Sequence, residues 1–208
     1  MISPTFADQI PHALLPVEDD EAVMVETRYR SFPFKPGALP TKGHERRADD
    51  ALIVFSVLHE AVKAGRLTFE QLQPLFFRST SDLVTYREGW KAGKFWSRDA
   101  WQTAVRNKHT NGLISEHVLP RSAALKHALK LDIDEALAFV KAKSFECVVT
   151  KAENKALNAV KAAFPDDPWR RYALAGIKVL DVRGPNGVSF LDETDRAELS
   201  RHGILVEG

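Results

Sequence analysis

Two short apolar segments, residues 113–120 and 146–154, constrain the fold more than any other part of the chain. The first predicts a strand that ends near Pro120, because proline cannot continue a central strand and keeps the residue before it extended. The second, from Glu146 to Asn154, predicts a strand that runs directly into a helix. Since the other periodic segments are mostly helical, the predicted fold class is α+β, predominantly helical.

Composition limits the classes of protein that remain. A chain of 208 residues is long enough for one hydrophobic core, or for a core and a small subdomain. The formal net charge is +1, so a nucleic-acid partner would have to be bound by a local basic patch. The single cysteine, Cys147, excludes an internal disulfide and a zinc site with two thiolates from this chain. It lies in an apolar run, which predicts a buried free thiol.

No basic segment followed by an apolar run begins the sequence, and no window approaches the roughly 18 apolar residues of a membrane span. We therefore expect a reducing, cytoplasmic setting.

Three regions follow from the distribution of proline and of apolar periodicity. Residues 1–45 are rich in proline and predict an extended N-terminal arm. Such an arm more commonly wraps around its own domain, and contact with a polyanion is the alternative. Residues 46–110 predict a helical lobe, and residues 111–208 contain the two strands together with a C-terminal strand and helix. Helices are predicted at 49–62, from 68, at 97–105, 122–131, 134–143, 151–163, 169–175 and 192–199, and a further strand at 177–182.

Residues 86–109 combine basic and aromatic side chains, a pattern typical of phosphate contact with base stacking. The basic residues include Lys91, Lys94, Arg98, Arg106 and Lys108, and the aromatic ones are Tyr86, Trp90, Phe95, Trp96 and Trp101. The segment is our candidate nucleic-acid contact. The alternative is that the tryptophans anchor the core of the helical lobe while the lysines solvate it.

Glu116 and His117 lie near the end of the first strand. Successive side chains of a regular strand point to opposite faces, so the two can address one metal ion only if the strand bends or ends there. The alternative is a solvated glutamate and a hydrogen-bonded histidine at the rim of a sheet.

The strings Glu116-His-Val-Leu-Pro-Arg121 and Cys147-Val-Val-Thr-Lys-Ala-Glu-Asn154 resemble the HNH branch of the His-Me finger (ββα-metal) nucleases, over roughly residues 111–165. In that family a strand end supplies a metal ligand and the general-base histidine, and a helix after the second strand supplies a histidine or asparagine. The resemblance implies a metal-ligand role for Glu116, general-base catalysis by His117 and a helix-borne ligand at Asn154. It leaves the residue that orients the His117 ring unassigned, because the 30-residue interval before Cys147 holds no asparagine.

The choice of helix-borne ligand stays open on periodicity alone. Leu157 and the apolar positions after it place Glu153 near the middle of the buried stripe and Asn154 at its edge. The resemblance favours Asn154, and Glu153 is the second candidate. Arg121 lies four residues after His117, where it is placed to hold a phosphate. An equal alternative is that Arg121 is an ordinary surface residue.

These observations together predict a metal-dependent endonuclease that hydrolyses phosphodiester bonds in DNA, with RNA as an alternative substrate, by a one-metal mechanism with a histidine general base. The hard oxygen ligands indicate Mg²⁺ or Mn²⁺ as cofactor. Two alternatives are a non-cleaving nucleic-acid-binding protein and a protein-interaction module, each with a degenerate finger. Cutting of both strands by an enzyme with one site would favour a homodimer.

Overall fold

The computed structural model describes residues 42–79, 93–160, 162–183 and 187–208. The predicted arm up to residue 41, and Tyr86, Trp90 and Lys91 of the candidate nucleic-acid segment, lie outside these ranges. The described helices are α1 (Lys42–Lys63), α2 (Phe69–Ser79), α3 (Arg98–Asn107), α4 (Arg121–Ala128), α5 (Ile133–Lys143), α6 (Lys151–Ala159), α7 (Arg170–Leu174) and α8 (Glu193–Arg201). The strands are β1 (Phe95–Ser97), β2 (Leu113–His117), β3 (Glu146–Thr150), β4 (Val179–Asp181) and β5 (Leu205–Glu207).

The five strands form one mixed sheet in the order β2-β3-β1-β4-β5. Strand β3 pairs antiparallel with β2 and parallel with β1. Strand β4 pairs antiparallel with β1 and parallel with β5. The protein is therefore a mixed α/β fold with eight helices and a five-stranded sheet in its described residues.

Helices cover both faces of this sheet, which explains why the apolar run of β3 is continuous instead of alternating. Cys147 and Val149 face a core that includes Leu157 of α6, Tyr172 of α7 and Leu199 of α8. The core on the opposite face consists of Val148, Trp96, Trp101 and other buried residues, largely beneath α3. The predicted burial of the Cys147 thiol is confirmed.

A third core joins α1, α2, α4 and α5, with Phe55, Phe76 and Leu125 at its centre. The helical lobe therefore includes α4 and α5, which lie beyond residue 110. Strand β1 and helix α3 were predicted to belong to the lobe, but β1 is part of the sheet and α3 packs on it. Helix α1 also begins at Lys42, seven residues before the predicted start at Asp49. Its first two turns are mostly polar, so apolar periodicity gives no sign of them.

Local capping fixes several of the helix ends. Thr68 and Gln71 form a reciprocal cap at the start of α2, in which Gln71 Oε1 accepts from Thr68 N at 2.9 Å. Ser97 caps α3 through the amide of Ala100. The φ of Gly65, two residues beyond the end of α1, is +68°, a left-handed conformation that favours glycine.

None of the helices in the described ranges combines the length and apolar character that crossing a membrane requires.

Candidate functional site

Strands β2 and β3 and helix α6 form a continuous unit around the predicted site. The strands are antiparallel, with Leu113 opposite Thr150 and His117 opposite Glu146. Helix α6 follows β3 without a loop and buries Leu157 in the same core as Cys147 and Val149. It therefore packs on the sheet face to which those two residues point.

The register separates the side chains of Glu116 and His117. Glu116 is paired with Cys147 and shares its face, which is the one that α6 covers. His117 is paired with Glu146 and points to the opposite face, as alternation along a regular strand requires. Because Asn154 is carried by α6, the structure places Glu116 and Asn154 on one face and His117 on the other.

An arginine from α7 neutralises Glu116. Arg171 Nη2 donates to Glu116 Oε1 at 2.5 Å and to the carbonyl oxygen of His117 at 3.0 Å. The Arg171 side chain is 5% exposed, so this ion pair is largely shielded from water. The Nε of Arg171 is buried and has no hydrogen-bond partner among the described residues.

His117 belongs to a second polar group, which we call the His117 cluster: Ser115, His117, Arg121 and Glu146. Arg121 Nε donates to His117 Nε2, and Glu146 Oε1 lies 3.0 Å from the same nitrogen. Ser115 Oγ donates to the other carboxylate oxygen of Glu146 at 2.5 Å. The guanidinium of Arg121 also donates to the Phe77 carbonyl oxygen at 3.3 Å, which links α4 to α2.

The environment of the His117 cluster keeps the imidazole neutral. Burial is the main cause that lowers the pKa of His117 to about 3, and the positive charges of Arg121 and Arg171 act in the same direction. Glu146 favours the protonated ring, but burial and two guanidinium groups outweigh one carboxylate. His117 is therefore uncharged near pH 7, with its Nε2 lone pair directed at Arg121.

The two helix-borne candidates differ in their hydrogen bonds. Glu153 Oε2 accepts from Ser97 Oγ at 2.7 Å and from Thr150 N at 2.8 Å, completing a capping box at the start of α6. Its partial burial is thus explained without a cation. The Oδ1 of Asn154, in contrast, is buried and without a hydrogen-bond partner in the described part of the chain. A buried amide oxygen without a hydrogen-bond partner is a suitable ligand for a cation.

The fit of a divalent cation to these residues is incomplete. Glu116 and Asn154 offer oxygen atoms on the same face of the sheet, which suits Mg²⁺ or Mn²⁺. However, Arg171 already supplies a positive charge to Glu116. The described residues also contain no group of three or more histidine, cysteine, aspartate or glutamate side chains able to hold a metal.

The structure divides the candidate nucleic-acid contacts into two groups. Lys94 forms ion pairs with Asp192, at 3.4 Å, and with Asp195. Phe95, Trp96 and Trp101 are buried in the cores, so these three aromatic residues serve packing rather than stacking on bases. Three basic side chains remain exposed on α3 and just after it: Arg98, Arg106 and Lys108.

Two residues that the sequence did not single out complete the site. Glu146 follows from the strand register, because it stands opposite His117 once β2 and β3 are paired. Arg171 approaches Glu116 from 55 residues along the chain, and no local pattern announces that contact.

Comparison of the chain with protein-family models, with curated proteins and with solved structures gave no match in any of the three.

Proposed function

We propose that this protein is a metal-dependent endonuclease that hydrolyses phosphodiester bonds in DNA, with β2, β3 and α6 as an HNH-like finger. The observation that carries the proposal is that Glu116 and an unpartnered oxygen of Asn154 belong to elements on the same face of the sheet, the face that α6 covers. The order of strand, antiparallel strand and directly attached helix supports it. Both side chains stand at the positions that the resemblance to the HNH family assigns to metal ligands.

Glu116 and Asn154 would hold Mg²⁺ or Mn²⁺. Glu153 is not one of the proposed metal ligands, because its carboxylate already completes the capping box of α6. When bound, the cation would neutralise charge on the scissile phosphate and on the leaving oxygen. Arg171 would add a second positive charge beside Glu116, where it could stabilise a phosphate oxygen.

His117 is the proposed general base: its imidazole is neutral, but a pKa of about 3 makes it a weak proton acceptor while it stays buried beside Arg121. To act there, its Nε2 must part from Arg121, and the side chain must reach around the end of β2 towards the face of Glu116. Strand β2 ends at His117, and the chain turns at residues 118–120 before α4. The base role therefore depends on movement at this strand end.

The exposed basic residues Arg98, Arg106 and Lys108 are the proposed phosphate contacts of α3. Phosphate contacts of this kind bind without regard to sequence and weaken steeply as salt concentration rises.

A second candidate function is nucleic-acid binding without cleavage, by a degenerate finger. Two observations favour it: Glu116 and His117 point to opposite faces of the sheet, and each is already hydrogen-bonded to an arginine guanidinium. In this alternative the two ion-pair groups stabilise the strand end, and the exposed basic residues Arg98, Arg106 and Lys108 provide the affinity.

Plasmid cleavage separates the two candidates. We expect nicking in Mg²⁺ or Mn²⁺ that stops with EDTA and that is lost in Glu116→Gln, His117→Ala and Asn154→Ala. Asn158→Ala is the matched control, because Asn158 lies one turn further along α6 and is exposed. Cleavage that survives EDTA and the three substitutions would rule out the proposed mechanism.

Filter retention of DNA at several salt concentrations completes the experiment. Salt-sensitive retention without cleavage would favour the degenerate finger. Absence of retention even at low salt would favour a protein-interaction module.

A further inference from the structure

We propose that the outward side of α1 is a docking surface for a second copy of this chain, and that two α1 helices pack antiparallel across a two-fold axis at Ile53. We call this surface the α1 outer face, and it consists of Arg46, Ile53, Val54, Val57 and Glu60. It lies on a helix that carries none of the proposed metal ligands or phosphate contacts, so the dimer does not depend on nuclease activity.

The middle of α1 is apolar on both of its sides. Phe55 points inward, is 0% exposed and packs in the core that α1 shares with α2, α4 and α5. On the outward side Ile53, Val54 and Val57 are 63%, 47% and 62% exposed. A helix at the surface of a globular protein normally carries polar residues on its outward side, and a cluster of exposed apolar side chains there marks an interaction surface.

The residues of the α1 outer face are spaced as contact between two helices requires. Arg46, Ile53 and Glu60 follow one another at intervals of seven residues, about two turns, so they lie along one line of the helix. Val57 lies one turn after Ile53 on the same side. At a rise of about 1.5 Å per residue, the two charged side chains stand about 10 Å to either side of Ile53.

The positions of the two charges select a second copy of the chain as the occupant. Arg46 and Glu60 are both exposed and are equally far from Ile53. In an antiparallel pair centred on Ile53, Arg46 of each copy stands opposite Glu60 of the other, which gives two ion pairs related by the two-fold axis. In a parallel pair each of these residues would face its own equivalent, and the like charges would repel.

The size of the surface sets the expected strength of the dimer. Stable interfaces commonly bury about 800 Å² per partner, and three aliphatic side chains with a charged rim supply only part of that area. We therefore expect a dissociation constant in the micromolar range instead of a permanent dimer. Because α1 is anchored in its own chain by the core around Phe55, each protomer keeps its fold when the dimer dissociates.

Analytical ultracentrifugation of the full chain over a range of micromolar concentrations tests the proposal. We expect the mass of the wild type to rise with concentration from the 23.3 kDa of one chain towards twice that value. Ile53→Glu and Val57→Glu should each weaken dimerisation by about a hundredfold, because each places a charge in the apolar contact at two symmetric positions. Leu174→Glu is the matched control, since Leu174 is also an exposed apolar residue on a helix, at 60% exposure, and this variant should dimerise like the wild type.

A charge exchange tests the antiparallel arrangement. Arg46→Glu and Glu60→Arg should each weaken dimerisation by about tenfold, because each turns two attractive contacts into two repulsive ones. The double variant restores both ion pairs with their signs reversed and should dimerise within about threefold of the wild type. Such recovery separates a direct contact from a loss of fold, and circular dichroism of each variant reports its helix content.

A wild type that stays at 23.3 kDa at every concentration would overturn the proposal and would leave the α1 outer face to another occupant, such as residues 1–41 or a different protein. A dimer that persists unchanged in Ile53→Glu and in Val57→Glu would place the interface elsewhere and would also overturn it. A dimer that Ile53→Glu disrupts but that the double charge exchange does not restore would reject the antiparallel pairing of Arg46 with Glu60.

Discussion

The buried, neutral state of His117 predicts a specific dependence of stability on pH. The perturbation is a change from pH 7 to pH 5, applied to the wild type and to His117→Gln. The variant keeps a polar side chain but cannot titrate. The difference between the two free energies of unfolding therefore isolates the contribution of this one ring, because other groups titrate in both proteins.

The sign and magnitude follow from the shift in pKa. The pKa of His117 is 6.5 when unperturbed and about 3 in the folded protein, so the folded state binds fewer protons between these values. The stability is fully present above pH 6.5 and is lost as the pH falls towards 3. Integration from pH 7 to pH 5 gives a loss of about 2 kcal/mol.

Urea unfolding followed by tryptophan fluorescence measures this difference, since Trp96, Trp101 and Trp169 are all buried in the folded protein. We expect the wild-type free energy of unfolding, relative to that of His117→Gln, to fall by about 2 kcal/mol at pH 5. A constant or growing wild-type advantage at pH 5 would refute the reasoning. It would mean that Glu146, 3.0 Å away, holds the imidazolium against burial and the two arginines.

Three further predictions concern stability and reactivity. Arg171→Met should lower the free energy of unfolding by about 3 kcal/mol, because it leaves the half-buried Glu116 without its partner. The double variant, Glu116→Gln with Arg171→Met, should lose less, and an equal loss in the single and the double variant would contradict this reasoning. Thr150→Ala should cost about 1 kcal/mol through the cap of α6, and an unchanged midpoint in urea would show that the cap contributes nothing. The Cys147 thiol should resist Ellman's reagent until the protein unfolds, because burial raises its pKa; rapid labelling of folded protein would disprove its burial.

The strongest local signals in the sequence predicted the corresponding elements well. The bounds of β3 agree with the prediction, because an apolar run and the capping residue Thr150 mark its end. Strands β1 and β5 were not predicted. Each has three residues, too few for a period to appear, and each is a strand only because a partner from elsewhere in the chain pairs with it.

The site shows the same division between local and long-range information. Alternation along β2 correctly indicated that Glu116 and His117 point to opposite faces of a regular strand. The capping role of Glu153 was not predicted, although the spacing of Thr150 and Glu153 is that of a capping box. The contacts of Arg171 and Glu146 depend on tertiary pairing, so sequence spacing alone could not assign them.

Arg171 makes the unit formed by β2, β3 and α6 dependent on the C-terminal third of the chain. A fragment limited to residues 111–165 would lack this counter-ion of Glu116, the strand beside β3, and the helices α7 and α8 that close one core. Such a piece would present bare backbone along one edge and apolar side chains to water, conditions that promote aggregation. We expect that residues 111–165 do not fold independently when they are inserted into another protein.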